Sequence, residues 1–150
     1  LLRNAVEHGI EAMEERQLAG KPAQGRIDVR ITDLGAEGTE ILVEDDGRGF
    51  DVERIGRIAV ASGVVTEERL DAMEPRRIIG LIFRPGFTSA GIDGVAGRGL
   101  GMEFLRELVT RLDGQISVAT KPRRYTRFRI VLPVPQPVAG ANVVALRRSA

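Results

Sequence analysis

The sequence predicts an α+β fold, an α/β sandwich in which a layer of helices packs on one mixed, mostly antiparallel sheet. Four segments alternate apolar and polar residues as half-buried strands do, and they are expected to form two hairpins: residues 26–32 with 40–44, and residues 115–120 with 126–132. Other segments repeat apolar residues every three or four positions, which is the period of a helix that covers a sheet. Because 43% of the 150 residues are apolar, the chain can bury one ordinary core.

The first predicted element is a helix over residues 1–17, which ends before the helix-breaking sequence Gly20-Lys21-Pro22. Its apolar residues recur at helical spacing and are expected to face the core: Leu2, Val6, Ile10 and Met13. Its polar residues are expected to share the opposite face: Asn4, Glu7, His8 and Glu11. The chain starts inside this pattern, so we expect the first helix to be truncated.

Further helices and one long loop are expected between the two hairpins. Asp51 is a suitable N-cap for a helix through Ser62. The loop over residues 83–97 is rich in glycine, and a loop of that length is typical of an active-site lid. The other helices are expected over residues 66–73, 76–82 and 98–112, the last with Phe104, Leu105, Leu108 and Leu112 on its buried side.

The composition excludes several classes of function. A net charge of +1 gives no field for a polyanion, so we expect no nucleic-acid partner. The absence of cysteine excludes disulfides and thiolate metal sites, and the single histidine, His8, excludes a histidine-rich metal site. No apolar run approaches the roughly 18 residues of a membrane span. Nothing resembles a signal peptide either, so we expect a cytoplasmic protein without direct membrane insertion.

The first chemical motif is Asp45-x-Gly47-x-Gly49 at the end of a predicted strand. A carboxylate at that position can accept a hydrogen bond from an adenine amino group, and the glycines let the backbone approach the ring. An ordinary acidic turn without a ligand is the simpler alternative, because short glycine motifs are common.

The second motif, Gly97-Arg98-Gly99-Leu100-Gly101, opens a predicted helix. Alternate glycines leave several backbone N–H groups free to point at one anion, and the start of a helix adds partial positive charge. This arrangement can hold a polyphosphate, although a flexible connector has the same composition.

Two more motifs are ambiguous alone. Asn4, Glu7 and His8 share a helix face, where an amide oxygen can ligate Mg²⁺ and a carboxylate can polarise a nucleophile. A solvated helix face is the alternative. The segment at residues 83–89 places two phenylalanines around a Pro-Gly turn, either as core anchors or as anchors of a mobile lid.

In order and spacing, these motifs resemble the nucleotide-binding boxes of chemotaxis-type (CheA-like) histidine kinases. The matching segments are residues 1–11 for the asparagine box, 43–51 for the first glycine box, 82–89 for the phenylalanine box and 97–103 for the second glycine box. The wider superfamily includes gyrase, the Hsp90 chaperone and the MutL mismatch-repair ATPases. The resemblance covers residues 1–132, and we interpret residues 133–150 as a linker or disordered tail.

The resemblance implies a Bergerat-type ATP-binding fold and a role for each matching residue. Asn4 would ligate Mg²⁺, with Glu7 and His8 as catalytic residues beside the phosphates. Asp45 would bind the adenine amino group. The residues implied in binding ATP are Asn4, Asp45, Gly47, Gly49, Arg54, Gly97, Arg98, Gly99, Gly101, Met102 and Thr126.

The implied reaction is transfer of the ATP γ-phosphoryl group to a histidine on a separate histidine-phosphotransfer domain, in a two-component pathway that ends at a response regulator. His8 is the only histidine and falls in the asparagine box, so the acceptor is expected on another domain. A receptor or coupling protein and a homodimer of the full-length protein are further expectations.

Two other functions remain open. Relatives often place two lysines on the helix after the first glycine box, whereas this chain has Arg54 and Ile58 there. A nucleotide-binding regulatory module with weak or no transfer is therefore one alternative. A conformational ATPase that gates a dimer is the other, and the Pro-Gly-Phe sequence argues against it.

Overall fold

The computed structural model of the chain describes residues 1–87 and 102–135. Its strands form one sheet of order β1-β2-β4-β3 in which each neighbouring pair is antiparallel. The strands are β1 Ile27–Asp33, β2 Thr39–Asp45, β3 Gln115–Lys121 and β4 Tyr125–Leu132. Both predicted hairpins and the α+β class are confirmed. The described strands contain no parallel pair, so in these residues the sheet is antiparallel throughout rather than mixed.

The two faces of the sheet differ because side chains alternate along each strand. Val43 of β2 lies opposite Phe128 of β4, and both are buried. On the other face Glu44 forms an ion pair with Arg127 of β4. The helices therefore pack on the face that carries Phe128.

The described helices are short, and the chain changes direction often between them. Asp51 caps α3 as predicted, because its carboxylate accepts the backbone N–H of Arg54 at 2.9 Å. None of these helices combines the length and the apolar character needed to cross a bilayer. Their bounds are α1 Leu2–Asn4, α2 Met13–Leu18, α3 Val52–Ala61, α4 Glu67–Asp71, α5 Pro75–Ile79 and α6 Met102–Arg111.

The core lies between α3, the 3₁₀ turn Gly80–Phe83 and the sheet. Phe128 contacts the ring of Phe83 edge to face, with centroids 6.4 Å apart and an interplanar angle of 86°. Phe83 is thus a core anchor at the start of the predicted loop. Positions 88–97 of that loop lie outside the described residues. The buried cluster consists of Ile55, Ala59, Leu81, Ile82, Phe83 and Phe128.

The prediction of one continuous helix over residues 1–17 is wrong. After α1 the chain continues as the π-helical turn Ala5–Gly9, and Ile10 is extended with φ −72° and ψ 128°. This break resets the helical period for Met13, and before it the helical segment buries Ala5 rather than Leu2 and Val6. Exposed members of that stripe are Leu2, Val6 and Met13, whereas Ala5 is buried.

The placement of Glu11 on the exposed polar face is also wrong, since only 7% of this residue is exposed. The break at Ile10 turns Glu11 away from Glu7 and His8. It forms ion pairs with Arg16 and Lys21, at 3.1 Å and 2.6 Å.

The predicted buried side of the last helix is corrected in part. Val109 is the buried residue of α6, with Met102 and Leu105 half-buried beside it. Both this stripe and the predicted one have helical spacing, so periodicity alone cannot choose between them. Residues 98–101 of the predicted helix lie outside the described residues. The predicted residues that face solvent are Phe104, Leu108 and Leu112.

Candidate functional site

A cavity of about 380 Å³ opens between the apolar face of the sheet and the helices. Its volume lies in the range of small-ligand sites. A larger cavity of about 660 Å³, beside α4 and α5, contains none of the predicted site residues. The structure brings eight predicted site residues to the wall of the smaller cavity: Asn4, Glu7, His8, Asp45, Gly49, Arg54, Met102 and Thr126.

Asp45 lies at the end of β2, where the strand register sets it opposite Thr126 of β4. Both residues are about 5% exposed or less. Burial raises the pKa of the Asp45 carboxyl, and backbone hydrogen bonds from Gly47 and Thr126 offset only part of this rise. An ionised carboxylate has about four acceptor positions, so it retains capacity to accept a donor from a ligand in the cavity.

Gly47 does not line the cavity, although it was predicted to shape the adenine pocket. A Cβ atom on Gly47 would lie 2.1 Å from the carbonyl oxygen of Gly9 and 2.8 Å from Oδ1 of Asp45. The Gly9 carbonyl also accepts the N–H of Arg48 at 2.9 Å. The need for glycine at position 47 therefore comes from close backbone packing beside Asp45.

Gly49 forms part of the cavity wall in a conformation that favours glycine, with φ +68°. A Cβ atom there would lie 2.6 Å from the carbonyl oxygen of Lys121. The next residue, Phe50, donates its N–H to Oγ1 of Thr120, and that hydroxyl donates to the carbonyl of Tyr125, both at 2.9 Å. The β3–β4 turn thus fixes this wall.

Another part of the wall comes from the first helical segment and α3. Asn4 is half-buried at the end of α1, and Glu7 and His8 follow on the π-helical turn with exposed side chains. Positions three and four residues apart lie on one side of a helix, which brings these three groups to one cavity. Arg54 of α3 also lines the cavity, and Ile58 one turn later is buried.

The apolar part of the wall was not predicted from the sequence. Phe50 meets Phe128 edge to face, with centroids 6.2 Å apart. The alternation of β2 and β4 and the period of α3 predict burial but not which buried residues face a cavity. The predicted phosphate-binding residues Gly97, Arg98, Gly99 and Gly101 lie outside the described residues. The unpredicted wall residues include Val43, Phe50, Ile55, Ile82, Phe87 and Phe128.

The chain matches the histidine kinase-, DNA gyrase B-, and HSP90-like ATPase family over residues 1–136. It belongs to this ATPase family. The match covers every described element of the fold and all of the cavity wall. The resemblance read from the four boxes is therefore confirmed.

Members of the ATPase family with high similarity include several named proteins. The chain is 38% identical over 148 residues to the gliding motility regulatory protein of Myxococcus xanthus, covering 98% of this chain and 19% of that protein. It is 41% identical over 135 residues to the chemotaxis protein CheA of Halobacterium salinarum, covering 89% of this chain and 20% of that protein. It is 42% identical over 137 residues to CheA of Treponema pallidum, covering 89% of this chain and 16% of that protein. The chain thus spans about a fifth of the length of these curated relatives.

The cavity has the chemistry that an ATPase site needs. A buried carboxylate with remaining acceptor capacity lies on its wall, together with apolar and aromatic side chains. A purine ring requires this combination of flat apolar contact and a polar group on its edge. Asn4 contributes an amide oxygen, a ligand type suited to Mg²⁺ when phosphate oxygens complete the coordination.

Proposed function

We propose that the chain is the ATP-binding catalytic domain of a two-component histidine kinase. In this proposal it transfers the γ-phosphoryl group of ATP to a histidine on a separate phosphotransfer domain. The observation that carries the proposal is the cavity whose wall combines Asp45 and Thr126 with Asn4, Glu7 and His8. A ligand that has both a base and a phosphate chain needs both sets of polar groups.

The two sets of polar groups on the cavity wall have distinct tasks in the proposed reaction. Asp45 accepts the adenine amino group, which orients the nucleotide. Asn4 holds Mg²⁺, which neutralises phosphate charge when bound, and Arg54 adds a fixed cation on the α3 side. Glu7 accepts a proton from the incoming imidazole or orients it, and His8 donates to the phosphates. Catalysis then depends mainly on positioning and charge stabilisation.

The partners follow from the same chemistry. The only histidine of the chain lies on the cavity wall, so the phosphoacceptor belongs to another domain. A response regulator would take the phosphoryl group next. A receptor or coupling protein and a homodimer of the full-length protein complete the proposed assembly, which we assign to the cytoplasm.

A regulatory nucleotide-binding module is the second candidate. It is supported by Ile58, which lies on the cavity wall one helical turn after Arg54 and brings no charge to the phosphates. Such a module binds ATP but transfers its phosphoryl group slowly or not at all.

One assay distinguishes these functions. The full-length protein is incubated with labelled ATP, Mg²⁺ and its phosphotransfer domain. Acid-labile label on histidine supports the kinase, and ATP binding without transfer or hydrolysis supports the regulatory module. Hydrolysis without phosphohistidine would instead indicate a gating ATPase.

Replacing Asn4 with alanine is expected to remove the Mg²⁺-dependent part of the ATP affinity. The amide oxygen is the metal ligand in this proposal, and alanine offers none. The measurement is ATP titration calorimetry with Mg²⁺ and with a chelator. Arg3→Ala is the matched control, since Arg3 is the exposed neighbour of Asn4 and does not line the cavity. An unchanged metal response in Asn4→Ala would disprove the ligand role.

The affinity for ADP is expected to fall as the pH is lowered, beginning above the ordinary carboxyl range near 3.9. Burial raises the pKa of Asp45, and protonation replaces an acceptor with a donor. ADP and inosine diphosphate are titrated from about pH 8 down to the ordinary carboxyl range near pH 4. Both nucleotides carry the same phosphates, so the ratio of their affinities reports only the contribution of the base. A ratio independent of pH would contradict the adenine assignment.

A further inference from the structure

A cluster of four charged side chains, two of them buried and two partly exposed, contacts the turn that follows Asp45. It consists of Glu11, Arg16, Lys21 and Asp46, two anions and two cations. The side chain of Arg16 is 0% exposed and that of Glu11 is 4% exposed. None of the four lines the cavity, so the cluster lies outside the proposed nucleotide site.

Arg16 uses all five of its donor hydrogens within this cluster. Its Nε donates to the carbonyl of Pro22 at 2.8 Å. One terminal nitrogen donates to Oε2 of Glu11 at 3.1 Å and to the carbonyl of Asp46 at 3.4 Å. The other donates to Oδ2 of Asp46 at 2.8 Å and to the carbonyl of Gln24 at 3.3 Å. The guanidinium therefore holds both the side chain and the backbone of Asp46.

Lys21 uses one of its three donor hydrogens on Glu11 and the other two on the same turn. Its Nζ donates to Oε1 of Glu11 at 2.6 Å, to the carbonyl of Asp46 at 2.9 Å and to the carbonyl of Gly47 at 2.8 Å. Two successive carbonyls of the turn are thus bound by one ammonium group.

The peptide unit between Asp46 and Gly47 connects this cluster to the nucleotide site. The carbonyl of Asp46 and the N–H of Gly47 belong to one planar group. Lys21 and Arg16 bind the carbonyl side of that plane, and its N–H donates to Oδ1 of Asp45 at 3.0 Å. Rotation of the plane would turn the N–H away from Asp45 and leave its carboxylate with only the backbone hydrogen bond from Thr126.

We propose that Arg16 and Lys21 are positioning residues that hold the adenine-binding carboxylate of Asp45 through the peptide unit between Asp46 and Gly47. The inference rests on the proposed function, in which Asp45 binds the adenine amino group. A purely structural cluster affects all nucleotides equally, because it changes only the fraction of folded protein. A positioning cluster affects only nucleotides that carry the amino group.

The experiment measures binding of ATP and inosine triphosphate, which has a carbonyl in place of the amino group. Lys21→Met is the deciding variant, because the Lys21 side chain is 14% exposed and its replacement threatens folding less than that of Arg16. We expect Lys21→Met to lower ATP affinity about tenfold and to leave inosine triphosphate affinity almost unchanged. Lys21→Arg, which keeps the charge and the donors, is expected to recover part of the loss.

Arg129→Met is the matched control. It removes the cation of the Arg129–Glu40 ion pair on the charged face of the sheet, and it is expected to leave both affinities unchanged. Circular dichroism and thermal melts establish that each variant is folded.

The outcomes separate the inference from the function on which it rests. Wild-type protein that fails to bind ATP would refute the proposed function. Wild-type protein that prefers ATP, together with a folded Lys21→Met variant that keeps the same preference, would overturn only the positioning role. A reduced preference in Lys21→Met and its partial recovery in Lys21→Arg would establish that role.

Discussion

Replacing Asp45 with asparagine is expected to abolish ADP binding. The asparagine amide would present a donor to the adenine amino group, which is itself a donor. Two buried donors would then remain unpaired, each at a cost of about 1–3 kcal/mol, so the affinity should fall by more than about 100-fold. Fluorescence or calorimetric titration with ADP measures the loss.

The fold is expected to survive this change. In the wild type the N–H of Gly47 donates to Oδ1 of Asp45 at 3.0 Å. Asparagine has the shape of aspartate, and its Oδ1 can still accept this hydrogen bond. Burial raises the pKa of Asp45, which means that the folded state disfavours the ionised carboxylate. A neutral amide removes that penalty near neutral pH. The loss of an acceptor for the Thr126 N–H opposes this gain, so we expect the melting temperature of Asp45→Asn to stay close to that of the wild type.

Glu44→Gln is the matched control for this variant. Glu44 is the neighbour of Asp45 and undergoes the same change of charge, but it lies on the other face of the sheet in an ion pair with Arg127. It is expected to bind ADP normally. Wild-type ADP affinity in Asp45→Asn would disprove the adenine assignment.

Asp45 was predictable because its signals are local. A strand pattern ends at the carboxylate, and glycines follow at once, so a few consecutive residues specify both the strand and the turn. The two hairpins were predictable for the same reason. Thr126 followed only from the resemblance, since its position opposite Asp45 depends on the register between β2 and β4, which are distant in sequence.

The charged cluster could not be predicted because its contacts are not local. Arg16 and Asp46 are 30 positions apart, and an arginine in a predicted helix is normally solvated. The break at Ile10 gave no strong signal either, because Gly9 can occur within a helix at modest cost. A prediction without that break places Glu11 on the exposed polar face of the helix, whereas the residue is buried.

Replacing Arg16 with methionine is expected to lower the free energy of unfolding by about 3–5 kcal/mol, because a buried ion pair that loses one partner leaves an uncompensated charge. Arg16 is fully buried between Glu11 and Asp46. Urea unfolding measures the change. The control, Arg129→Met, removes a side chain that is half exposed, and such pairs contribute about 0–1 kcal/mol. Similar losses in both variants would contradict the expectation.

Acid unfolding gives a second measurement of the same cluster. Burial alone would raise the pKa of Glu11 and of Asp46. For Glu11, the hydrogen bond from Lys21 and the nearby cations outweigh the effect of burial. For Asp46, hydrogen bonds from the Arg26 backbone and from Arg16, with the nearby cations, do the same. Both pKa values are lower in the folded protein. Their stabilisation is therefore complete above the ordinary carboxyl range near 4 and disappears as the pH falls through the lowered values. Arg16→Met should weaken this pH dependence, and an unchanged dependence would contradict the cluster.

The double variant Glu11→Leu with Arg16→Met tests whether the Glu11–Arg16 ion pair alone explains the stability. Removing both members of an isolated buried ion pair often restores stability, because no unpaired charge remains. Here Asp46 also loses Arg16 and Lys21 also loses Glu11, and methionine cannot pair the carbonyls of Pro22, Gln24 and Asp46 that Arg16 binds. We therefore expect the double variant to stay well below wild-type stability. Recovery of wild-type stability would mean that these backbone contacts contribute little and that the cluster acts as a simple ion pair.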